Sequence, residues 1–165
     1  MLQKKICMLG SFAVGKTSLV RRFVESIFSP DYFTTVGAMV DKKDVQVSGK
    51  QMTMVLWDLY GEDDYQKIRW SHFGGAFGFL LVADGTRRAT LDKAIELEQK
   101  AREAVGALPF VFVINKSDLA DEWEIDAEAE APLAGKGWKI LHTSAKTGAG
   151  VEEAFLALAQ AMLGK

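Results

Sequence analysis

The 165-residue chain has little cysteine and little proline: one cysteine, Cys7, and three prolines, Pro30, Pro109 and Pro132. A lone cysteine closes no internal disulfide, so no covalent staple holds the fold, and sparse cysteine suits an intracellular chain. No apolar run approaches the ~20 residues of a membrane-spanning helix. Neither sign of charge dominates: 20 basic residues face 22 acidic ones, for a formal net charge of −2. That balance argues against bulk attraction to nucleic acid or to an anionic membrane surface. The N-terminus, Met1-Leu2-Gln3-Lys4-Lys5, leads through a short apolar stretch into glycine and lysine and does not read as a signal peptide. There is no linker, low-complexity tract or solenoid-period repeat. What is present is 48% hydrophobic and 25% charged residues, ordinary globular values. The expectation is one domain over residues 1–165, located in the cytoplasm.

Strand-like and helix-like segments alternate. A short apolar run at 6–9 ends at Gly10, and Leu19, Val20, Phe23, Val24 and Ile27 predict a helix over 16–27. Residues 38–47 are a weak strand, Ser48-Gly49-Lys50 a turn and 52–57 a second strand, together an antiparallel hairpin. Residues 77–83 and 110–114 are nearly all apolar, as in strands buried on both faces. Ala94, Leu97, Ala101, Ala104, Val105 and Leu108 predict a helix over 91–108. A short helix over 125–134, a strand over 138–142 and a closing helix marked by Val151, Phe155, Leu158 and Met162 follow. This alternation implies an α/β sandwich with a mostly parallel sheet. Ligands of such sheets bind beyond the carboxyl ends of the strands. The loops after Leu9, Trp57, Ala83, Ile114 and Thr143 are therefore where chemistry is expected.

Gly10-Ser11-Phe12-Ala13-Val14-Gly15-Lys16-Thr17 fits G-x-x-x-x-G-K-[ST] and sits between a strand and a helix, the context that motif requires. Its glycines let the backbone curl so that N–H groups point at phosphate oxygens, and the following helix adds its positive end. Lys16 supplies a charge for the outer phosphates, and the Thr17 hydroxyl suits Mg²⁺. Such a loop serves kinases, ATPases and GTPases alike. Asn115-Lys116-Ser117-Asp118, after a buried strand, decides among them. A carboxylate there accepts two hydrogen bonds from guanine, from N1–H and the 2-amino group. Adenine lacks both donors, so the carboxylate would be left desolvated and unpaired. Ser144-Ala145-Lys146 follows the last strand and completes the set.

With the phosphate loop, Thr35 ahead of Val36-Gly37, Trp57-Asp58-x-x-Gly61, Asn115-Lys116-x-Asp118 and Ser144-Ala145-Lys146 in order, the chain resembles the Ras-like small GTPases, the Rab branch in particular, from about Lys4 to Leu163. The resemblance implies a P-loop three-layer α/β sandwich: a six-stranded, mostly parallel sheet with one antiparallel edge strand, and five helices. It implies a switch that binds GTP or GDP with Mg²⁺ and hydrolyses GTP. By this resemblance Gly10, Ala13, Val14, Gly15, Lys16, Thr17 and Ser18 hold the phosphates, and Phe28 stacks edgewise on the base. Thr35 reaches the magnesium in the GTP state, Asp58 holds a magnesium water, and Gly61 gives its N–H to the γ-phosphate. The metal set is then Thr17, Thr35 and Asp58, and the catalytic set Lys16, Thr35, Gly61 and Glu62. Asn115, Lys116, Asp118, Ser144, Ala145 and Lys146 build the base site.

The departures from the family pattern cluster at the hydrolysis centre. Glu62 stands where the family has a water-orienting glutamine. An ionised carboxylate only accepts hydrogen bonds, and the γ-phosphate repels it. Phe12 stands where the family usually has a small residue, and a phenyl ring at that point would crowd the γ-phosphate region. Leu59 and Tyr60 replace the usual threonine and alanine. Slow hydrolysis and a weak response to an arginine-finger activator are expected. The alternative is a GTP- or GDP-holding interaction module with little turnover, cut from a larger scaffold; Asp118 disfavours a kinase or ATPase.

Effector and regulator proteins are expected at the switches. Val40, Trp57 and Phe73 are candidates for that surface, the alternative being that Trp57 and Phe73 simply pack the hairpin down. Arg87 and Arg88 read as solvated or partner-contacting, Arg69 as an open case, and His72 and His142 as structural. No direct membrane anchor is expected in this chain: Leu2 excludes N-terminal myristoylation, and Cys7 falls in the first strand rather than in a prenylated tail.

Overall fold

The computed structural model describes residues 2–11, 13–25, 38–59 and 70–164. Its strands are β1 (Leu2–Gly10), β2 (Ala38–Val47), β3 (Lys50–Leu59), β4 (Ala76–Asp84), β5 (Phe110–Asn115) and β6 (Ile140–His142). They form one sheet in the order β2-β3-β1-β4-β5-β6. Every neighbouring pair is parallel except the β2–β3 hairpin, which places the antiparallel strand at the edge. The described helices are α1 (Lys16–Glu25), α2 (Arg88–Val105), α3 (Ala127–Gly135) and α4 (Val151–Leu163), with 3-10 turns at Trp70–Phe73 and Ser117–Glu122. This is the expected three-layer α/β fold.

The central strands read as unbroken apolar runs because their side chains feed two cores. In β1, Ile6 and Met8 join one cluster and Cys7 and Leu9 the other. β4 divides the same way, with Leu80 and Val82 against Phe79, Leu81 and Ala83. α1 and α4 cover the first face, where Phe23 and Phe155 stack with ring centroids 4.2 Å apart. α2 and α3 cover the second through Leu91, Ala94, Leu97, Ala101 and Leu133. Helices on both faces are what a buried parallel sheet requires.

The hairpin turn is tight. Val47 pairs with Lys50, and the two residues between them, Ser48 (φ 52°) and Gly49 (φ 76°), are both left-handed, the condition for a type I′ turn. Lys50 thus opens β3 rather than closing the turn. α2 also departs from its predicted bounds. It begins three residues early, at Arg88, and stops at Val105, because Gly106 (φ 84°) turns its N–H back to the Arg102 carbonyl at 2.9 Å. Leu108 still packs on the second core, but from the loop.

The carboxyl ends of β1, β4 and β5 lie side by side. Gly10 is in register with Val82, and Asp84 with Asn115. This brings the loops after Gly10, Asp84 and Asn115 to one edge of the sheet.

Candidate functional site

Among the described residues of the loop from Gly10 to Thr17, Ala13 (φ 61°) and Gly15 (φ 104°) are left-handed. Only glycine suits position 15, since a Cβ there would lie 2.2 Å from the Asn115 side-chain nitrogen. α1 starts at once, with the Leu19 N–H bonded to the Gly15 carbonyl at 2.9 Å, so its positive end faces the loop. Lys16 is buried and folds across the loop, its Nζ donating to the Gly10 (3.0 Å) and Ser11 (3.3 Å) carbonyls. The Thr17 hydroxyl bonds to the carboxylate of Asp58, at the end of β3. Burial pushes the Asp58 carboxyl above its ordinary range, against the opposing influence of Lys16 and Thr17. A buried carboxylate and a hydroxyl side by side are hard oxygen donors. They fit Mg²⁺, which takes few protein ligands and keeps waters and phosphate oxygens.

Asn115 joins this loop to the next two. Its amide nitrogen donates to the Val14 carbonyl (3.0 Å), while its oxygen accepts from the Thr143 hydroxyl (3.1 Å) and the Ala145 N–H (3.2 Å). Asp118 is exposed, and its Oδ1 accepts from the Ser144 hydroxyl at 2.7 Å. Arg22, from α1, holds the 144–146 loop from behind, donating to the Ala145 carbonyl at 2.9 Å and to that of Lys146. Nothing in the sequence marks Arg22, which lies within an ordinary amphipathic helix.

Asp84 is the functional-looking residue that sequence reasoning missed. Its side chain is 1% exposed, yet it meets Lys116 Nζ at 2.8 Å and Arg87 Nε at 2.9 Å. The Thr86 N–H and hydroxyl also donate to it. The signal was a single acid closing an otherwise apolar strand. Arg87 is correspondingly not a merely solvated side chain: it pairs with Asp84 and bonds the Ala13 carbonyl at 3.0 Å. Burial opposes ionisation of Asp84, but hydrogen bonds from Lys116, Thr86 and Arg87 outweigh it and hold the carboxyl at about 2. The unfolded value is about 3.9. The stability Asp84 contributes is therefore complete above that value and is lost as pH falls through about 2. The melting-temperature gap between wild type and Asp84→Asn should be constant between about pH 5 and 7 and shrink below about pH 4. A gap unchanged at the acid end would show that the Asp84 carboxyl is not held below its unfolded value.

Gly10, Ala13, Val14, Gly15, Lys16, Thr17, Asp58, Asn115, Lys116, Asp118, Ser144, Ala145 and Lys146 all fall on these linked loops, and Ser18 sits half-buried in the first turn of α1. Phe12, Phe28, Thr35, Tyr60, Gly61, Glu62 and Arg69 lie outside the described residues. Of the partner-surface candidates, Val40 and Trp57 are half-buried and pair across the hairpin. The Lys5 ammonium sits 3.8 Å from the Trp57 ring centroid. Phe73 is 1% exposed and packs on Trp70 and Phe79, so it belongs to the second core rather than presenting a surface. His142 pairs with Glu130 at 2.8 Å. No helix among the described residues is long and apolar enough to cross a membrane.

Comparison with known proteins agrees with this geometry. Residues 5–164 match the sequence profile of the Ras family. The chain is 33% identical over 161 residues to the GTP-binding protein ypt2 of Schizosaccharomyces pombe, covering 94% of this chain and 79% of that protein. It is 32% identical over 163 residues to human Ras-related protein Rab-8B, covering 98% and 79% respectively. A Dictyostelium discoideum Rab-8B is 31% identical over 161 residues, covering 94% and 78%. A profile match over nearly the whole chain, with relatives above 30% identity, makes this chain a member of the Ras family on its Rab branch, a small GTPase that binds GTP and GDP with Mg²⁺ and hydrolyses GTP.

Proposed function

We propose that this chain is a slowly hydrolysing guanine-nucleotide switch whose nucleotide spans the carboxyl ends of β1 and β5. The phosphates would lie in the 10–17 loop and the guanine on Asp118, between Lys116 and the 144–146 loop. One observation carries this reading: Asn115 bonds both Val14 and Ala145, so the phosphate loop and the base loop form one hydrogen-bonded unit. Lys16 would offset phosphate charge, and Thr17 and Asp58 would hold Mg²⁺. The metal, when bound, supplies further electrostatic stabilisation of the phosphoryl oxygens.

The roles of Phe28, Thr35, Gly61 and Glu62 rest on the resemblance. A carboxylate at 62 accepts but cannot donate, and it meets a like-charged γ-phosphate, so it orients water poorly. Single-turnover hydrolysis of preloaded GTP should be slow and should speed up by about tenfold or more in Glu62→Gln, as restored general positioning predicts. An unassisted rate unchanged by that substitution would place the defect elsewhere, at Phe12. GTP intact after long incubation would favour the interaction module. Val40 and Trp57, on the outer hairpin, are the residues proposed to meet regulators and effectors in the cytoplasm.

A further inference from the structure

We infer that Arg87 is a positioning residue for nucleotide binding: its guanidinium, anchored on Asp84, fixes the Ala13 carbonyl and so shapes the phosphate loop. This rests on the site assigned above. Ala13 is the one residue of the 10–17 loop that carries a Cβ in a described left-handed conformation, at φ 61°. That conformation is disfavoured for any residue but glycine, and side-chain restraint on the neighbouring peptide offsets the cost. Arg87 supplies the restraint through two arms. Its Nε meets Asp84 Oδ2 at 2.9 Å, and its Nη2 donates to the Ala13 carbonyl at 3.0 Å.

The anchor is rigid. Asp84 is buried at the end of a central strand, and its backbone N–H bonds the Thr90 hydroxyl at 2.8 Å, tying the strand to the first turn of α2. Two bonds from one planar fork set both distance and direction, which a point charge on a flexible stem does not. Lys116 reaches the same Asp84 oxygen at 2.8 Å from the base side. The carboxylate thus divides the labour: Lys116 steadies the base loop, Arg87 the phosphate loop.

The test compares GDP with inosine diphosphate, which has the same ribose and phosphates but lacks the 2-amino group. Dissociation constants of both are measured on the purified chain. In Arg87→Ala both should rise by about tenfold, one charge-assisted hydrogen bond's effect, with their ratio unchanged. Arg87→Lys keeps the charge without the fork and should stay within about twofold of Arg87→Ala, while Arg88→Ala matches wild type. A wild-type affinity in Arg87→Ala, full rescue by lysine, or a fall in the GDP preference would each overturn the proposal. Should the alanine variant fail to fold, the lysine variant alone carries the same comparison. Asp118→Ala separates the underlying assumption: it should erase the GDP preference. If the preference survives there, the base-site assignment is wrong and the inference falls with it.

Discussion

Asp118→Ala should weaken GDP binding by about two to four orders of magnitude and leave the melting temperature of the protein nearly unchanged. The size follows from two charge-assisted hydrogen bonds to the base, each contributing about 1.5–3 kcal/mol. The second half follows from exposure. Asp118 lies on the surface, and its one described side-chain bond, from the Ser144 hydroxyl at 2.7 Å, is replaceable by water. Because discrimination arises from leaving a site's polar groups unpaired, ADP should gain relative to GDP in the variant. Isothermal titration with both nucleotides checks this. An unaltered GDP-to-ADP preference would remove Asp118 from the base site.

Asn115→Ala should lose both affinity and stability. The residue is 2% exposed, and its side chain serves the Val14 carbonyl, the Thr143 hydroxyl and the Ala145 N–H, two of whose parent residues are fully buried. Truncation leaves those groups without their partner, at about 3 kcal/mol or more in total. For a domain of this size that lowers the melting temperature by about 6–12 °C. GDP affinity should drop by about a hundredfold, since the two loops are no longer coupled. Scanning calorimetry of the two variants side by side is decisive: equal melting temperatures would mean that Asn115 does not brace the loops.

The contrast between these two residues also explains what could be read in advance. Strands came through because a parallel sheet buried on both faces leaves an apolar run that no loop imitates, as in Phe110–Asn115. The nucleotide loops came through because their chemistry needs particular residues at close spacing. Helix ends were harder. The apolar period of α2 continues to Leu108, since that side chain reaches the same core from the loop, and only Gly106 stops the helix. The partnerships of Asp84, Arg87 and Arg22 were illegible for a different reason. Arg22 meets residues more than 120 positions away, Arg87 reaches back to Ala13 and Asp84 is met by Lys116, and no local pattern records such meetings. Phe73 misled because a switch-proximal aromatic looks the same in sequence whether it faces outward or into the core.

Cys7 has a practical consequence. It is the chain's one cysteine, wholly buried in β1, and burial pushes its thiol up to about 12. Only the thiolate reacts with maleimides and similar reagents, so Cys7 is expected to react with them slowly in the folded protein. A single cysteine introduced on the surface, for instance beside the β2–β3 hairpin, could carry a fluorophore or spin label without removal of the native residue. Nucleotide binding could then be followed in the otherwise unaltered chain.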